Sequence, residues 1–175
     1  MPFLMELVHT AIRKVTLLGH PVLRAKTREL SAADVVKPEI QRLIEEMAVT
    51  MDEYEGVGIA GNQVGEGLAI FVMGLPKGAQ RHEEGIPLTV AVNPVVRLDG
   101  KPTGLDIEGC LSVPGLRGRV PRHASLELSA LDHRGRPFTR VYEGFPARVV
   151  QHEVDHLNGF VYLDRMPDLK TLAFV

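Results

Sequence analysis

Residues 151–156 carry the most informative motif of the chain, Gln151-His152-Glu153-Val154-Asp155-His156. In a helix, His152 and His156 lie on one face, about 40° apart around the axis, so both imidazoles can bind one metal ion. Glu153 is displaced from His152 by about 100°, which suits a carboxylate that hydrogen-bonds a metal-bound water without ligating the ion. The motif predicts a metal-binding helix. The alternative is an exposed helix face with ordinary polar residues, because so short a motif also occurs by chance.

Two helices are predicted from the spacing of apolar residues. The helix with the histidine pair is framed by Pro146 and Gly159, residue types typical of a helix start and end. A longer helix is expected within residues 37–55, where Pro38 suits the first turn and Gly56 can adopt the left-handed conformation that ends it. Apolar residues recur there at three- and four-residue steps. They are Ile40, Leu43, Ile44, Met47, Met51 and Tyr54.

Strands are predicted between these two helices. Several short runs are rich in β-branched or large apolar residues and are bounded by Gly, Pro, Asn or Asp. Two of them flank Asp132 and Gly135, which favour a turn, so this pair is expected to form a hairpin. Because the strands do not alternate with helices, the pattern favours an α+β fold over a doubly wound sheet. The predicted strands are Leu68–Met73, Leu88–Val92, Val95–Leu98, Ser125–Leu131 and Arg136–Tyr142.

Length and composition limit the classes of function. The chain has 175 residues, is 45% hydrophobic and carries a formal net charge of −2. This length suits one compact domain with a sizeable core. No block of basic residues is of the kind that follows a phosphate backbone, so direct recognition of nucleic acid is not expected.

A cytoplasmic location is expected for this protein. Cys110 is the only cysteine, so the fold does not require the oxidising compartment in which disulfides form. The longest apolar run, Leu68–Leu75, is far shorter than the roughly 18 residues that suggest a membrane span. Residues 1–8 lack a basic segment before their apolar residues, which does not suit a secretory signal. We expect a soluble protein without a membrane partner.

A catalytic ion requires a third protein ligand. A histidine six residues after His156 is excluded, because that position is Tyr162. A glutamate roughly 24 residues after His152, the other familiar arrangement, would fall at or beyond the last residue. Asp164 and Asp168 stay open as candidates, although neither lies on the helix face of the two histidines. The third ligand is therefore expected upstream.

Cys110 is the strongest upstream candidate. A thiolate with two imidazoles suits Zn²⁺, Fe²⁺, Co²⁺ or Ni²⁺ and leaves a fourth position open for water. The alternative is a small, buried, inert side chain, which is the commonest role of a lone cysteine. The context favours a ligand, because a preceding glycine permits an unusual backbone path and the following N–H could point into a site. That context is Glu108-Gly109-Cys110-Leu111-Ser112.

A glycine-rich segment resembles a dinucleotide-binding turn in its spacing, with Glu83 or Glu84 as a candidate ribose partner. Such a turn requires a strand before the glycines and a helix after them, whereas the predicted order here is the reverse. We interpret the glycines as positions where the main chain approaches a bound ligand closely. The segment is Gly56-Val57-Gly58-Ile59-Ala60-Gly61.

Three segments together resemble one family, the peptide deformylases. Each segment is modest alone, but their order and spacing are highly specific, and flanking pieces at 19–24, 120–122 and 162–165 extend the resemblance over nearly the whole chain. The segments are Gly56-Val57-Gly58-Ile59-Ala60-Gly61-Asn62-Gln63-Val64-Gly65, Glu108-Gly109-Cys110-Leu111-Ser112 and Gln151-His152-Glu153-Val154-Asp155-His156-Leu157-Asn158-Gly159.

The resemblance implies a metallohydrolase of protein biosynthesis that removes the N-formyl group from the N-terminal methionine of new polypeptides and releases formate. It implies an α+β fold with mixed, mainly antiparallel sheets around a central helix that carries the histidine pair, in one catalytic domain over residues 1–175. The partners it implies are N-formylmethionyl nascent peptides, with a transient ribosome contact as a further expectation. The implied cofactor is one divalent ion, Fe²⁺ in the cell and Zn²⁺, Ni²⁺ or Co²⁺ in preparations.

The same resemblance assigns roles to individual residues. The metal ligands are Cys110, His152 and His156, and Glu153 is the general acid/base. The remaining roles are oxyanion donors, from the side chain of Gln63 and the backbone N–H of Leu111, and substrate binding by Val57 and Gly58.

Two features depart from the family pattern. Gly61 stands where the family more often has Ala, which is expected to loosen the loop that aims Gln63. The tail after Asp164, residues 165–175, lacks the long basic helix with which some members approach the ribosome. Docking by that helix is therefore not expected.

Two other functions compete with this interpretation. A general metallopeptidase with the same helix motif would cleave internal peptide bonds. A metal-stapled binding module would use the ion only to hold the fold together, and would show a fourth protein ligand or folding that depends strictly on metal. Glu153 argues against the second alternative, because a structural site does not need it.

Overall fold

The computed structural model describes residues 10–79 and 82–175, so the expectation for residues 1–8 lies outside the described residues. Within these ranges the predicted helices and strands occur in the expected order, together with elements that were not predicted. Most of the strands lie between the two long helices. The helices are α1 (Ala32–Val35), α2 (Pro38–Glu53) and α3 (Gly144–Leu157), and the strands are β1 (Gly58–Ala60), β2 (Ile70–Leu75), β3 (Ile86–Leu98), β4 (Gly104–Cys110), β5 (Val113–Arg122), β6 (Ser125–Leu131), β7 (Pro137–Glu143) and β8 (Ala173–Phe174).

The strands form two sheets. The larger sheet has the order β1-β2-β3-β6-β7, and the smaller has the order β4-β5-β8. All neighbouring strands in both sheets run antiparallel. The predicted α+β fold with mainly antiparallel sheets is confirmed.

The larger sheet lies between the two long helices, and β2 shows why. Successive side chains of a strand point to opposite faces. Ile70 and Val72 pack in one core cluster with α2, whereas Phe71 and Met73 pack in a second cluster with α3. Both faces of β2 are therefore buried, which explains its nearly continuous apolar sequence.

The end of α2 differs from the prediction. Glu55, not Gly56, adopts the left-handed conformation, with a φ of 54°. The Glu55 N–H donates to the carbonyl of Asp52 and the Gly56 N–H to that of Met51, the pattern of a Schellman motif in which the residue before Gly56 takes positive φ. Gly56 serves packing instead, because a Cβ there would lie 3.0 Å from Cδ1 of Leu111.

Two predicted strands, Leu88–Val92 and Val95–Leu98, are in fact parts of β3. The pairing register with β6 shifts between Val92 and Val95, as expected for a bulge. Asn93 lies in this bulge with a φ of 51°. Its side-chain amide accepts from and donates to the backbone of Leu30, which stabilises this unusual conformation.

The predicted hairpin is confirmed by β6 and β7, and the Gly135 N–H donates to the carbonyl of Asp132 in the turn. α3 begins at Gly144, two residues before Pro146, and ends near Gly159, whose φ is 82°. The sequence did not predict β1, β4, β5 or β8.

Gly61 lies in tightly packed backbone rather than in a loosened loop. A Cβ on Gly61 would lie 2.7 Å from the carbonyl oxygen of Leu68 and 3.1 Å from that of Glu66. The expected loosening at this glycine is therefore not what the packing shows. The glycine allows two backbone segments to approach each other beside Gln63.

We predict that Gly61→Ala destabilises the protein by about 1–3 kcal/mol, because backbone atoms must move to admit the methyl group. For a chain of this size that cost lowers the Tm by roughly 2–12 °C in a thermal unfolding experiment. Gly67→Ala is the matched control, since a Cβ there would meet nothing within 4 Å. Equal Tm values for the two variants would contradict this account of the packing.

Candidate active site

The structure brings together the three residues that the sequence nominated as metal ligands. His152 and His156 lie one turn apart on α3, and Cys110 ends β4. The Sγ of Cys110 lies 3.1 Å from Nε2 of His156, and this Nε2 lies 3.2 Å from Nε2 of His152. All three candidate ligand atoms are within 4.8 Å of one another. These side chains form a group that could hold a metal ion.

The donor set fits a divalent transition-metal ion. Tetrahedral ligand atoms at ordinary zinc distances are roughly 3.3–3.6 Å apart, close to the two short separations in this group. Burial lowers the pKa of His156, which favours the neutral imidazole that a ligand must be. The chemistry and the spacing of the three atoms are therefore both suitable.

Asp164 and Asp168, the two open alternatives, are not part of this group. The carboxylate of Asp164 accepts hydrogen bonds from Arg24 and from the backbone N–H of Val161. The carboxylate of Asp168 accepts from the backbone N–H of Lys170. Both carboxylates thus have hydrogen-bond partners outside the candidate ligand group.

Glu108 orients one of the histidines, a role that the sequence did not predict. Oε2 of Glu108 lies 3.0 Å from Nδ1 of His152. Although burial alone would raise it, hydrogen bonds from His152 and Arg122 hold the pKa of the Glu108 carboxyl well below its usual range. An ionised carboxylate only accepts, so Nδ1 carries the hydrogen, and Nε2 is the nitrogen that faces the other candidate ligands. The sequence did contain a signal for this role. Glu108 lies two residues before Cys110, and alternate residues of a strand point to the same face.

Asp155, the residue directly before His156 in the motif, connects α3 to the smaller sheet. Its carboxylate accepts from Arg122 at 2.5 Å and from Arg165 at 2.7 Å. Arg122 also donates two hydrogen bonds to Glu108, at 2.9 and 3.0 Å. The buried ion pairs of Arg122 with Asp155 and Glu108 join the helix of the histidines to the strand of Cys110.

Glu153 is buried next to His152 on α3. Its residue is only 3% exposed, and burial raises the pKa of its carboxyl to about 7. Oε2 of Glu153 has no hydrogen-bond partner among the described residues. Gly58 of β1 lies against this carboxylate, because a Cβ on Gly58 would overlap Oε1. A side chain at this position would therefore require the Glu153 side chain to move.

The side chain of Gln63 points its amide nitrogen at the same group. Oε1 accepts from the Ala60 N–H at 2.9 Å, which fixes the amide orientation. Nε2 lies 3.2 Å from Oγ of Ser112 and 3.5 Å from Sγ of Cys110. Leu111 follows Cys110 in the turn between β4 and β5, so its backbone also lies at the edge of the site.

Val57 precedes β1 and is half-buried, and its carbonyl accepts from the Gly74 N–H. The glycine-rich segment around it follows α2 and leads into β1. This order is incompatible with a dinucleotide-binding turn, in which a strand precedes the glycines. Among the described strands, β1 pairs only with β2, so its other edge is unpaired.

None of the helices in the part of the chain that the structure describes is long and apolar enough to cross a membrane.

Comparison with known proteins gives consistent matches. The family model described as polypeptide deformylase matches residues 12–172. Peptide deformylase 1 from Nitrosomonas europaea is 37% identical over 164 residues, which cover 93% of this chain and 92% of that protein. Peptide deformylase 2 from Ralstonia nicotianae is 41% identical over 138 residues, 78% of each chain.

Solved structures show the same likeness. The Met-Ala-Ser-bound crystal structure of class I type b peptide deformylase from Acinetobacter baumannii has a TM-score of 0.81 and 33% identity, and covers 90% of this chain and 99% of that chain. The peptide deformylase from Thermus thermophilus has a TM-score of 0.76 and 37% identity, and covers 89% of this chain and 86% of that chain. The chain therefore belongs to the peptide deformylase family, metallohydrolases that remove the formyl group from the N-terminal methionine of newly made polypeptides.

Proposed function

We propose that Cys110, His152 and His156 bind one divalent metal ion, Fe²⁺ in the cell and Zn²⁺, Ni²⁺ or Co²⁺ in preparations. The observation that carries the proposal is the convergence of these three donors beside the buried Glu153. A divalent ion held there supplies Lewis acidity, which makes water more acidic and polarises a carbonyl oxygen.

Glu153 serves as the general acid/base in this proposal. Its carboxylate accepts a proton from the water that attacks the formyl carbon, and returns the proton to the amine as the C–N bond breaks. The products are formate and a free N-terminal amine. The raised pKa of the Glu153 carboxyl, about 7, suits a group that both takes and gives a proton near neutral pH.

Gln63 and Leu111 stabilise the negative charge that grows on the formyl oxygen during attack. The Gln63 Nε2 is already directed at the metal group, because the Ala60 N–H fixes the other end of the amide. The backbone N–H of Leu111 is the second donor. Donors placed in advance stabilise the transition state without reorganisation of solvent.

The peptide backbone of the substrate binds along Val57 and Gly58. The unpaired edge of β1 offers backbone groups to an extended peptide, a common way to bind one. Gly58 brings this edge against Glu153, so a peptide on β1 would lie next to the carboxylate. The Met-Ala-Ser peptide bound to the A. baumannii relative supports a substrate that begins with methionine.

The finer partner and location assignments complete the proposal. We place the enzyme in the cytoplasm, as one catalytic domain over residues 1–175, without a membrane partner or direct nucleic-acid specificity. Any ribosome contact is transient.

The two competing functions have less support. The relatives are deformylases rather than general metallopeptidases. A structural metal site normally has four protein ligands. The group found among the described His, Cys, Asp and Glu residues contains three.

Replacing Glu153 by Ala is expected to lower formate release from a formyl-Met peptide by about 10²–10⁴-fold, because proton transfer is lost while the ligands remain. Formate is measured with metal-replete protein, alongside Glu127→Ala as a surface control. Undiminished formate release in the Glu153 variant would refute its role. Cleavage of internal peptide bonds by the unmodified protein would favour the metallopeptidase alternative.

Cys110→Ala is expected to reduce metal bound per chain after dialysis, because only two ligands remain. Metal content is measured by elemental analysis. Ser112→Ala is the matched control, since Ser112 contacts Gln63 but is not among the candidate ligands. Normal occupancy in the Cys110 variant would show that the proposed coordination is wrong.

Gln63→Ala is expected to reduce kcat by about 10²–10³-fold, the usual cost of losing one oxyanion donor. Metal content should stay intact, because Gln63 is not a proposed ligand. Steady-state kinetics and metal analysis of the same sample test both statements. Full activity in this variant would remove Gln63 from the mechanism.

A further inference from the structure

Arg148 is a buried arginine on the same face of α3 as His152, one helical turn before it. Its residue is only 8% exposed. NH1 donates to Oε1 of Glu108 at 2.8 Å and to the carbonyl of Val120 at 2.9 Å. NH2 donates to the carbonyl of Gly104 at 2.8 Å. The guanidinium thus spans β4 and β5 and contacts the carboxylate that orients His152.

Four donors surround the carboxylate of Glu108. Oε1 accepts from Arg122 at 2.9 Å and from Arg148 at 2.8 Å. Oε2 accepts from Arg122 at 3.0 Å and is paired with Nδ1 of His152 at 3.0 Å. A carboxylate offers about four lone-pair sites, so all of them are used. With every site occupied, the carboxylate has one favourable rotation, in which Oε2 faces His152.

Two of these donors, Arg148 and His152, come from the same helix. They hold the two oxygens of Glu108 from positions one turn apart, while Arg122 approaches from β5. If Arg148 were absent, Oε1 would keep only the Arg122 contact, and the carboxylate would be held against His152 less firmly. The hydrogen bond that fixes the His152 tautomer would then weaken.

We propose that Arg148 is a positioning residue for the metal site, acting through Glu108 to fix the ring orientation and the tautomer of His152. This inference rests on the proposed function, because it takes His152 as a ligand. It adds a supporting residue on α3, four residues before His152, to the two candidate histidine ligands. Arg148 touches neither the substrate nor the ion, so its effect is on metal affinity first and on turnover second.

The experiment measures Co²⁺ affinity by competition with a chelator, together with the visible absorption spectrum of the Co²⁺ protein. Loss of a group that orients a metal ligand typically costs 10–100-fold in affinity. Arg148 contacts Glu108 and not His152 itself, so its effect is expected at the lower end of this range. Arg148→Met should weaken Co²⁺ binding by about tenfold and shift the absorption spectrum. Folding of the metal-free variant is checked by circular dichroism, and Arg148→Gln is used in its place if the Met variant does not fold.

Arg13→Met is the matched control. Arg13 is likewise an arginine with an ion-paired guanidinium, but its partners are Glu46 and Glu66 and not the groups around Glu108. This variant is expected to lose thermal stability and to keep Co²⁺ affinity within twofold of the unmodified protein. Equal Co²⁺ affinities for the Arg148 and Arg13 variants would overturn the inference.

A double-mutant cycle separates positioning from a merely structural role. If Arg148 acts through Glu108, adding Arg148→Met to Glu108→Gln should cost no further Co²⁺ affinity. Additive losses would mean that Arg148 only fastens α3 to the smaller sheet, and the inference would fail. His152→Ala separates a failure of the proposed ligand set from a failure of the role of Arg148. Unchanged Co²⁺ affinity in that variant would refute the ligand set itself, whereas a loss there with no effect of Arg148→Met would refute only the role of Arg148.

Discussion

The geometry of the site depends on a buried set of ion pairs between α3 and the smaller sheet. Arg122 of β5 pairs with Asp155 on the helix and with Glu108 on β4. A buried charge without its partner costs about 3–5 kcal/mol, so the helix can dock on this sheet only where all the charges find partners. That docking position brings the thiol of Cys110 to the two imidazoles. The ion pairs therefore select a register rather than simply adding stability.

The buried carboxylate of Glu153 lies next to the unpaired edge of β1. Burial favours the protonated form of Glu153, and Gly58 lets the unpaired edge of β1 lie against its carboxylate. Gln63, which follows β1 in the chain, also reaches the candidate ligand group, and the Ala60 N–H fixes the orientation of its amide. The groups proposed for proton transfer, charge stabilisation and peptide binding thus lie close together, and the side chains of Gln63 and Glu153 are buried.

Elements with a strong local pattern were predictable, and those without one were not. The regular apolar stripe of α2 and the turn residues between β6 and β7 led to correct predictions. β4 and β5 were missed because glycines, prolines and charged residues interrupt them, and their inward charges pair with α3 instead of facing solvent. Gly56 was assigned a left-handed conformation that Glu55 adopts, since the type of helix end depends on hydrogen bonds beyond the residue type.

The sequence alone identified the candidate metal ligands, because helix periodicity places two histidines one turn apart with a glutamate between them, and the lone cysteine was the strongest further candidate. Only the tertiary structure decided which groups support these ligands. Glu108, Arg122 and Arg148 are far apart along the chain, and their pairing depends on how a helix docks on a sheet. Local periodicity carries no information about such long-range contacts, whereas buried charges must find each other once the chain is folded.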